Sequence, residues 1–447
     1  MKKVITYGTF DLFHVGHENL LRRAKSLGDY LIVGVTGEHY DKERGKLNIH
    51  NSLIDRIENV KKSGFADEII VEEYEGQKIE DIIRYNVDIF AIGSDWTDKF
   101  NYLQEYCQVV YLERTKGISS TQLRTEKQHI VELGIIGTGR IANRFVPESK
   151  YVSGVLLKGV FNPEIDLAKT FCVQHELDFY TSDFEEFTKK INAVYIASPH
   201  QTHADYVKKC LNKGLHVLCE KPIVLSKQEA IDLYALAKEK ELVLMEAIKT
   251  AYSPGFIHLM SLVKSGAIGS IKDVDASFTM LKQGDLRELN PSQFGGSVTE
   301  LASYTLLPII KLFGVDYKNV QFFPYIKDGI DLFTRGLLEY ENGTAAFKVG
   351  LGVKTEGELI ISGTNGYAYV PAPWWKIEHF ELRFENMNQN KKYFYKFYGD
   401  GLRYELNEFV KHISVKYSDR DNYPLKKKES IAIVEIIEKF LKTHLNR

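Results

Sequence analysis

The sequence predicts an α/β protein of more than one domain, and three observations carry that reading. At 447 residues the chain is too long for one ordinary hydrophobic core, so two or three domains are expected. Its opening stretch alternates short apolar runs with helix-length segments, the pattern of a doubly wound parallel sheet. Further on, the apolar run Ile130–Ile136 enters Gly137-Thr138-Gly139-Arg140-Ile141-Ala142, a strand meeting a glycine turn at the mouth of a helix.

Composition narrows the class. Hydrophobic residues make up 44% and charged residues 26%, as in a soluble globular protein. A formal net charge of −2 gives no basic field to recruit nucleic acid or an anionic membrane, so any phosphate must be held by individually placed residues. Cys107, Cys172, Cys210 and Cys219 form no CxxC pair and read as incidental thiols in a reducing compartment. Met1–Thr6 runs straight into a strand without the core of a signal peptide, and no apolar stretch approaches the roughly 20 residues of a membrane helix. A cytoplasmic protein is expected, with neither nucleic acid nor membrane as partner.

In the first part, strands are predicted at Val4–Tyr7, Tyr30–Val35, Ile69–Val71, Ile89–Ile92 and Val109–Leu112, with helices at His17–Leu27 and Ile79–Tyr85. Ligands of such sheets sit beyond the carboxyl ends of the strands, and the unusual residues fall there. After the first strand comes Gly8-Thr9-Phe10-Asp11-Leu12-Phe13-His14-Val15-Gly16-His17. Two imidazoles three residues apart at a helix mouth, with backbone N–H groups free, suit a phosphate chain and the charge that develops when it reacts. Gly16 lets the backbone approach that chain. The last strand is followed by Arg114-Thr115-Lys116-Gly117-Ile118-Ser119-Ser120-Thr121, basic and rich in hydroxyls.

Through Gly8–Asp11, His14–His17, Gly93-Ser94-Asp95-Trp96 and Arg114–Thr121 this part resembles the glycerol-3-phosphate cytidylyltransferases of the HxGH nucleotidyltransferase superfamily. The resemblance implies that His14 and His17 contact the phosphates of CTP and stabilise the transition state. Thr9, Phe10, Asp11 and Gly16 would line the nucleotide, and Lys46 and Arg114 would neutralise its triphosphate. Thr115, Gly117, Ile118, Ser119, Ser120 and Thr121 would hold it through hydroxyls and amides, with Mg2+ accompanying CTP and no metal site of the protein's own. Arg44 and Lys78 fall where the family places contacts to the acceptor's phosphate. Gly64 stands where many relatives carry an arginine, which leaves Lys61 or Lys62 to compensate and the acceptor open.

The second part begins with the GxGxxA turn, whose glycines permit the close approach of a pyrophosphate. Its second strand, Leu156–Phe161, ends at Asn162-Pro163 rather than at an acidic residue, so NAD and NADP both remain open with a lean to NADP. Next come Ser198-Pro199, His203 and the run His216-Val217-Leu218-Cys219-Glu220-Lys221-Pro222, in which a lysine ends a buried strand. These residues resemble the glucose–fructose oxidoreductase, inositol dehydrogenase and rhizopine catabolism (Gfo/Idh/MocA) family. The resemblance implies that Gly137, Thr138, Gly139, Arg140, Ile141, Asn162, Ser198, Pro199, His203 and Glu220 line the dinucleotide, while Lys221 gives or steers a proton. Where many relatives read Asp-x-Gly-x-His, this chain reads Glu300-Leu301-Ala302-Ser303-Tyr304, with the tyrosine of the sugar oxidoreductase and dihydrodiol dehydrogenase branches. Glu300 and Tyr304, four apart, share a helix face and are expected at the substrate, with a nearby lysine lowering the pKa of Tyr304.

The family's second half is an α+β domain with an open, mostly antiparallel sheet that often makes a dimer. Apolar alternation at Val274–Met280, Asp331–Tyr340, Thr344–Leu351 and Glu358–Ser362 fits it, and helices follow at Leu402–Ile413 and Lys428–Leu441. The expected domains are 1–128, 129–250 and 251–447, with Gln122–His129 as a short connector and a homodimer or higher homo-oligomer as the assembly. The function these readings imply is bifunctional: NAD(P)H-dependent reduction of a sugar phosphate to a polyol phosphate, then transfer of CMP to it from CTP. Two alternatives stay open, one active domain beside a scaffold, or reduction of a CDP-sugar after cytidylylation.

Overall fold

The computed structural model describes residues 1–37, 40–41, 45–46, 49, 51, 53–113, 130–414 and 424–447. Arg44, Arg114–Thr121 and the connector Gln122–His129 therefore lie outside the described residues. Three sheets organise the rest. The first joins β1 (Lys3–Gly8), β2 (Tyr30–Thr36), β3 (Glu68–Glu72), β4 (Ile89–Gly93) and β5 (Gln108–Leu112) in the order β3-β2-β1-β4-β5, every pair parallel. Around it lie helices α1 (Val15–Lys25), α2 (Leu53–Lys62) and α3 (Gln77–Tyr85).

Alternation along the strands builds two apolar layers, because successive side chains leave opposite faces. Val4, Leu31, Val33 and Val35 join Leu21, Ala24 and Val60 on one face. Ile5, Tyr7, Ile32 and Phe90 join Ile82 and Leu103 on the other. Each fully buried aliphatic side chain contributes about 1.5–3 kcal/mol. Winding proceeds one way from β1 through β2 to β3 and the other way through β4 to β5, so the β1 and β4 ends flank a crevice.

The second sheet runs β11-β10-β9-β6-β7-β8. Its strands are β6 (Val131–Ile136), β7 (Val155–Phe161), β8 (Phe179–Thr181), β9 (Ala193–Ile196), β10 (His216–Glu220) and β11 (Leu244–Ala247). Helices α4 (Arg140–Ser149), α5 (Ile165–Gln174), α6 (Phe184–Thr188), α7 (His203–Asn212) and α8 (Lys227–Glu239) alternate with them. The third sheet has eight strands, β12 (Ile271–Thr279), β13 (Asn319–Lys327), β14 (Ile330–Glu339), β15 (Thr344–Gly350), β16 (Leu359–Gly363), β17 (Tyr367–Val370), β18 (His379–Arg383) and β19 (Lys391–Phe394). It runs β13-β14-β15-β12-β16-β17-β18-β19 and is antiparallel except where β12 meets β15, matching the expected open, mostly antiparallel sheet. Helix α9 (Pro254–Lys264) precedes this sheet, α10 (Ser297–Phe313) packs on it, and α11 (Leu402–Ser414) and α12 (Lys427–Phe440) follow. By compactness the chain divides into residues 1–134 with 145–190, and residues 135–144 with 191–447. Among the described residues no helix is long and apolar enough to cross a membrane.

One buried charge ties the first sheet's ligand edge together. From α2, Arg56 Nη1 donates to the carbonyl oxygens of Thr9 and Thr36, at 2.9 Å each, and lies 3.2 Å from Asp41 Oδ2. Asp41 also accepts from the hydroxyls of Thr36 (2.7 Å) and Thr9 (3.3 Å). Both side chains are fully buried. Removing one partner strands the other charge in a low-dielectric interior, so Arg56→Met is expected to cost about 3–5 kcal/mol. The check is the denaturant midpoint by circular dichroism; a midpoint equal to that of the unaltered chain would show that the pair gives no net support.

Candidate active sites

The first site begins where β1 ends. His14 caps α1: its Nδ1 accepts from the Gly16 N–H at 3.0 Å, and His17 Nδ1 faces the His14 N–H at 3.4 Å. With Nδ1 an acceptor on both rings, the ring proton of each imidazole belongs on Nε2. The rings stack 4.0 Å apart at 23°. His17 titrates far below its usual range, first because it is buried and then because His14 and Lys46 repel its proton. It is therefore a neutral donor at physiological pH. Phe10 holds its outer face edge-on at 5.4 Å.

The loop between β1 and α1 bends through two non-glycine residues in the left-handed region, Phe10 (φ +53°) and Leu12 (φ +46°). Reciprocal bonds hold it there: Asn51 N–H donates to Asp11 Oδ1 and Leu12 N–H to Asn51 Oδ1, both at 2.8 Å. The hydrogen bonds of Thr9 and Asp11 thus run to Asp41 and Asn51 and brace the loop. Lys46 stands within electrostatic reach of His17, its Nζ donating to the Lys150 carbonyl at 2.7 Å. Lys78 is buried, paired with Glu72, and set over the rings of Tyr7 (4.7 Å) and Phe100 (5.4 Å). Lys61 and Lys62, raised as substitutes for the arginine missing at Gly64, are exposed at the end of α2. Arg44 and Arg114–Thr121 lie outside the described residues, so the structure brings His14, His17, Gly16 and Lys46 together and is silent on those.

The second site gathers beyond the carboxyl ends of β6, β9, β10 and β11. Gly137 takes φ +99°, and a Cβ there would lie 2.7 Å from the Ala197 carbonyl oxygen. A Cβ on Gly139 would meet nothing within 4 Å. A close-packed first glycine and open space above the second, at the head of α4, fit a dinucleotide's pyrophosphate. Thr138 accepts from Asn143, while Arg140 is paired with Glu288. Ile141 lies in the first turn of α4, and Asn162 caps the end of β7 by accepting from the Glu164 N–H at 2.9 Å.

Lys221 follows β10 directly, and the Lys221–Pro222 peptide is cis. Its Nζ donates to the Glu300 carbonyl at 3.0 Å and lies 3.9 Å from Glu300 Oε2. Glu300, buried on α10, also has Arg287 Nη2 at 2.8 Å and His200 Nδ1 at 3.8 Å. His200 is driven neutral by burial and by Lys221, His203 and Arg287 around it. Glu220 accepts from the Tyr195 hydroxyl at 2.6 Å, and burial raises its pKa. Ser198 accepts from Thr202 through its hydroxyl at 2.7 Å, beside the exposed Pro199.

Tyr304 shares the Glu300 face of α10 and brings its ring 5.9 Å from Lys221 Nζ. The expected lowering of its pKa is overturned. Its phenol is pushed well up, first by burial and then by the carboxylates of Glu220, Glu405, Glu300 and Asp400, which outnumber the lysine. Tyr304 is thus a phenol that keeps its proton, a hydrogen-bond donor rather than a ready acid.

Five groups escaped sequence reading. Arg56 and Asp41 form the buried pair behind the first site, while Arg287 and His200 complete the polar cluster about Glu300. Lys249 is a further one: it follows β11, whose Ala247 pairs with Glu220, and burial lowers its pKa against the pull of Glu405. Its signal was available, a lysine closing the apolar run Leu242–Ile248.

Residues 5–126 match the cytidylyltransferase-like family, and residues 131–248 the oxidoreductase family with an NAD-binding Rossmann fold, Gfo/Idh/MocA. The chain is 50% identical over 126 residues to glycerol-3-phosphate cytidylyltransferase of Bacillus spizizenii, covering 28% of this chain and 97% of that protein. It is 30% identical over 223 residues to the NADP(+)-dependent scyllo-inositol 2-dehydrogenase of Bacillus subtilis, covering 47% and 67%. It is 28% identical over 253 residues to trans-1,2-dihydrobenzene-1,2-diol dehydrogenase of Sus scrofa, covering 54% and 74%. Among solved structures, a 3-ketoreductase from Actinomadura kijaniata in complex with NADP and TDP-benzene is similar in fold, with TM-score 0.60 and 20% identity over 69% of this chain and 96% of that one.

His203 generates a test of its own. Its ring nitrogens face the carbonyl oxygens of Pro222 and Ser198, both at 2.9 Å, yet burial outweighs these contacts and takes its pKa from 6.5 to about 4. A neutral ring is what folding favours, so this stabilisation is complete above pH 6.5 and is lost as pH falls from 6.5 toward about 4. In His203→Gln the pH dependence of the denaturation midpoint should flatten across that window by up to about one proton's worth. An unaltered slope would mean that the ring is already charged in the folded chain.

Proposed function

Because the chain belongs to the cytidylyltransferase-like family through its first part and to the Gfo/Idh/MocA oxidoreductase family through its second, we propose that one chain makes a CDP-polyol in two consecutive steps. The second part reduces a ketose or aldose phosphate with NAD(P)H, and the first transfers CMP from Mg-CTP to the resulting polyol phosphate, releasing pyrophosphate. Fructose 6-phosphate, ribulose 5-phosphate and a triose phosphate are the candidate substrates. The single observation that supports the reading is that each part gathers a polar cluster, the capped His14–His17 pair in one and Lys221 with Glu300 and Tyr304 in the other.

For transfer, the polyol phosphate supplies the nucleophile, so the chain needs donors for the phosphates rather than a nucleophile of its own. His14, His17 and Lys46 are the groups assigned to the phosphates, where they offset charge that builds on the phosphate oxygens. For reduction, Gly137–Ile141 would hold the dinucleotide at the head of α4. A bound nicotinamide cofactor supplies the hydride. Lys221, aimed by the Glu300 carbonyl, gives a proton to the oxygen of the substrate's carbonyl group, and Tyr304 hydrogen-bonds that oxygen with its retained proton. Arg287 and Lys221 hold Glu300 in place beside them. Asn162 in place of an acidic residue supports a lean to NADP.

Partly exposed apolar side chains on the third sheet, Phe323, Tyr325, Leu337 and Phe394, support a homodimer through that sheet. A polyol carried on CDP is a donor for polyol-phosphate polymers, so synthesis of a capsule or teichoic-acid-like polymer is the proposed setting.

The test is a panel of sugar phosphates incubated with the protein, NADPH and Mg-CTP and read by mass spectrometry. A CDP-polyol is expected from at least one; none, with both folds intact, sinks the proposal. Lys221→Ala should lower reduction by about 100-fold or more yet still cytidylylate a supplied polyol phosphate, and His17→Ala should do the reverse. Loss of both activities in either variant would contradict separate centres. Reduction that proceeds only after CTP is added would point to a CDP-sugar as the true substrate.

A further inference from the structure

The loop that follows β4 carries Gly93-Ser94-Asp95-Trp96, at the ligand edge of the first sheet and on the crevice side of β1. Three residues from the oxidoreductase-matched segment grip it, all within the same compact unit. Lys150 Nζ donates to the Asp95 carbonyl at 2.5 Å and stands 5.7 Å from the centre of the Trp96 ring. Tyr151 meets Trp96 edge-on at 6.2 Å, and its hydroxyl accepts from Lys99 at 3.4 Å. Ser94 donates to Glu176 Oε2 at 2.6 Å. The Lys150 carbonyl also accepts from Lys46, the ammonium within electrostatic reach of His17.

We infer that the turn at residues 149–151, with Glu176, is a built part of the cytidylyltransferase site, and that Lys150 is a positioning residue for CTP. Its carbonyl aims Lys46 at the His14–His17 pair, and its side chain fixes the β4 loop opposite. A cation held over Trp96 and bonded to the loop backbone adds positive charge where a nucleotide's phosphates enter. The oxidoreductase segment then serves two purposes, its own chemistry and the completion of its neighbour's site. This rests on the cytidylyltransferase half of the reading above and not on the identity of the polyol.

The full chain should be titrated calorimetrically with Mg-CTP, which needs no acceptor, and separately with NADPH as a control on the second fold. Lys150→Ala should weaken Mg-CTP binding by about ten-fold, the worth of one charge-assisted hydrogen bond. NADPH affinity should stay as in the unaltered chain, and Lys150→Arg, which keeps the donor and the cation, should recover most of the loss. Mg-CTP affinity within about two-fold of the unaltered chain in Lys150→Ala overturns the inference. If Lys150→Ala weakens both ligands together, Glu176→Gly decides, since glycine accepts the φ of +52° at that position and removes the carboxylate to which Ser94 donates. Weaker Mg-CTP with normal NADPH binding in that variant supports the inference, and unchanged Mg-CTP binding overturns it. Failure to form any CDP-polyol, with these effects present, would count against the two-step pathway and leave the positioning role standing.

Discussion

A parallel sheet delivers every strand to the same edge, and the chemistry of this chain depends on that constraint. The strands are apolar along their length because both faces are covered, so they can carry almost no polar groups. Polar residues therefore gather within the first few positions beyond each strand, where a helix begins with its N–H groups unpaired. In the first sheet β1 leads to the His14 cap, β2 to Asp41 and Lys46, and β4 to Ser94–Trp96. In the second, β6 leads to Gly137, β9 to Ser198 and His203, β10 to Lys221 and β11 to Lys249. Two unlike reactions rest on one geometric rule.

Burial then sets the protonation states. The imidazoles of His17, His200 and His203 become neutral because desolvation of the charged ring exceeds any contact that favours it. Some buried carboxylates are met by cations, as Glu300 is by Lys221 and Arg287, and Asp41 by Arg56. Such pairs add little net stability, because the cost of removing both charges from water offsets their attraction. Their effect is geometric, since each charge has one low-energy position. Tyr304 shows the limit of reasoning from a single neighbour: one lysine nearby would lower its pKa, but several carboxylates and a dry setting raise it.

Much was legible in advance where a residue's role is local. The HxGH run announces its helix cap because both imidazoles sit within one turn, although the helix starts at Val15 rather than at His17, the caps lying outside the apolar period. Glu300 and Tyr304 share a helix face because their spacing alone dictates it. Strands β1, β2, β9 and β10 stand out as compact apolar runs. Less visible were α2, whose apolar face is interrupted by charges, and β13, whose exposed outer face leaves pairing with β14 to define it. Arg56, Arg287 and His200 look like ordinary polar residues in sequence, because what singles them out is their place beside a particular carboxylate.

The sequence by itself determined the two families, the order of the two parts, and the motifs that follow their strands. These follow from short-range spacing, which needs no knowledge of what packs where. Only the tertiary structure decided which charges are paired, which histidines are neutral, and that Tyr304 holds its proton. It alone brought Lys150, Tyr151 and Glu176 onto the loop of Ser94 and Trp96, more than fifty residues away by the count between Asp95 and Lys150. Desolvation and long-range contact depend on distances across the fold, and spacing along the chain carries no record of them.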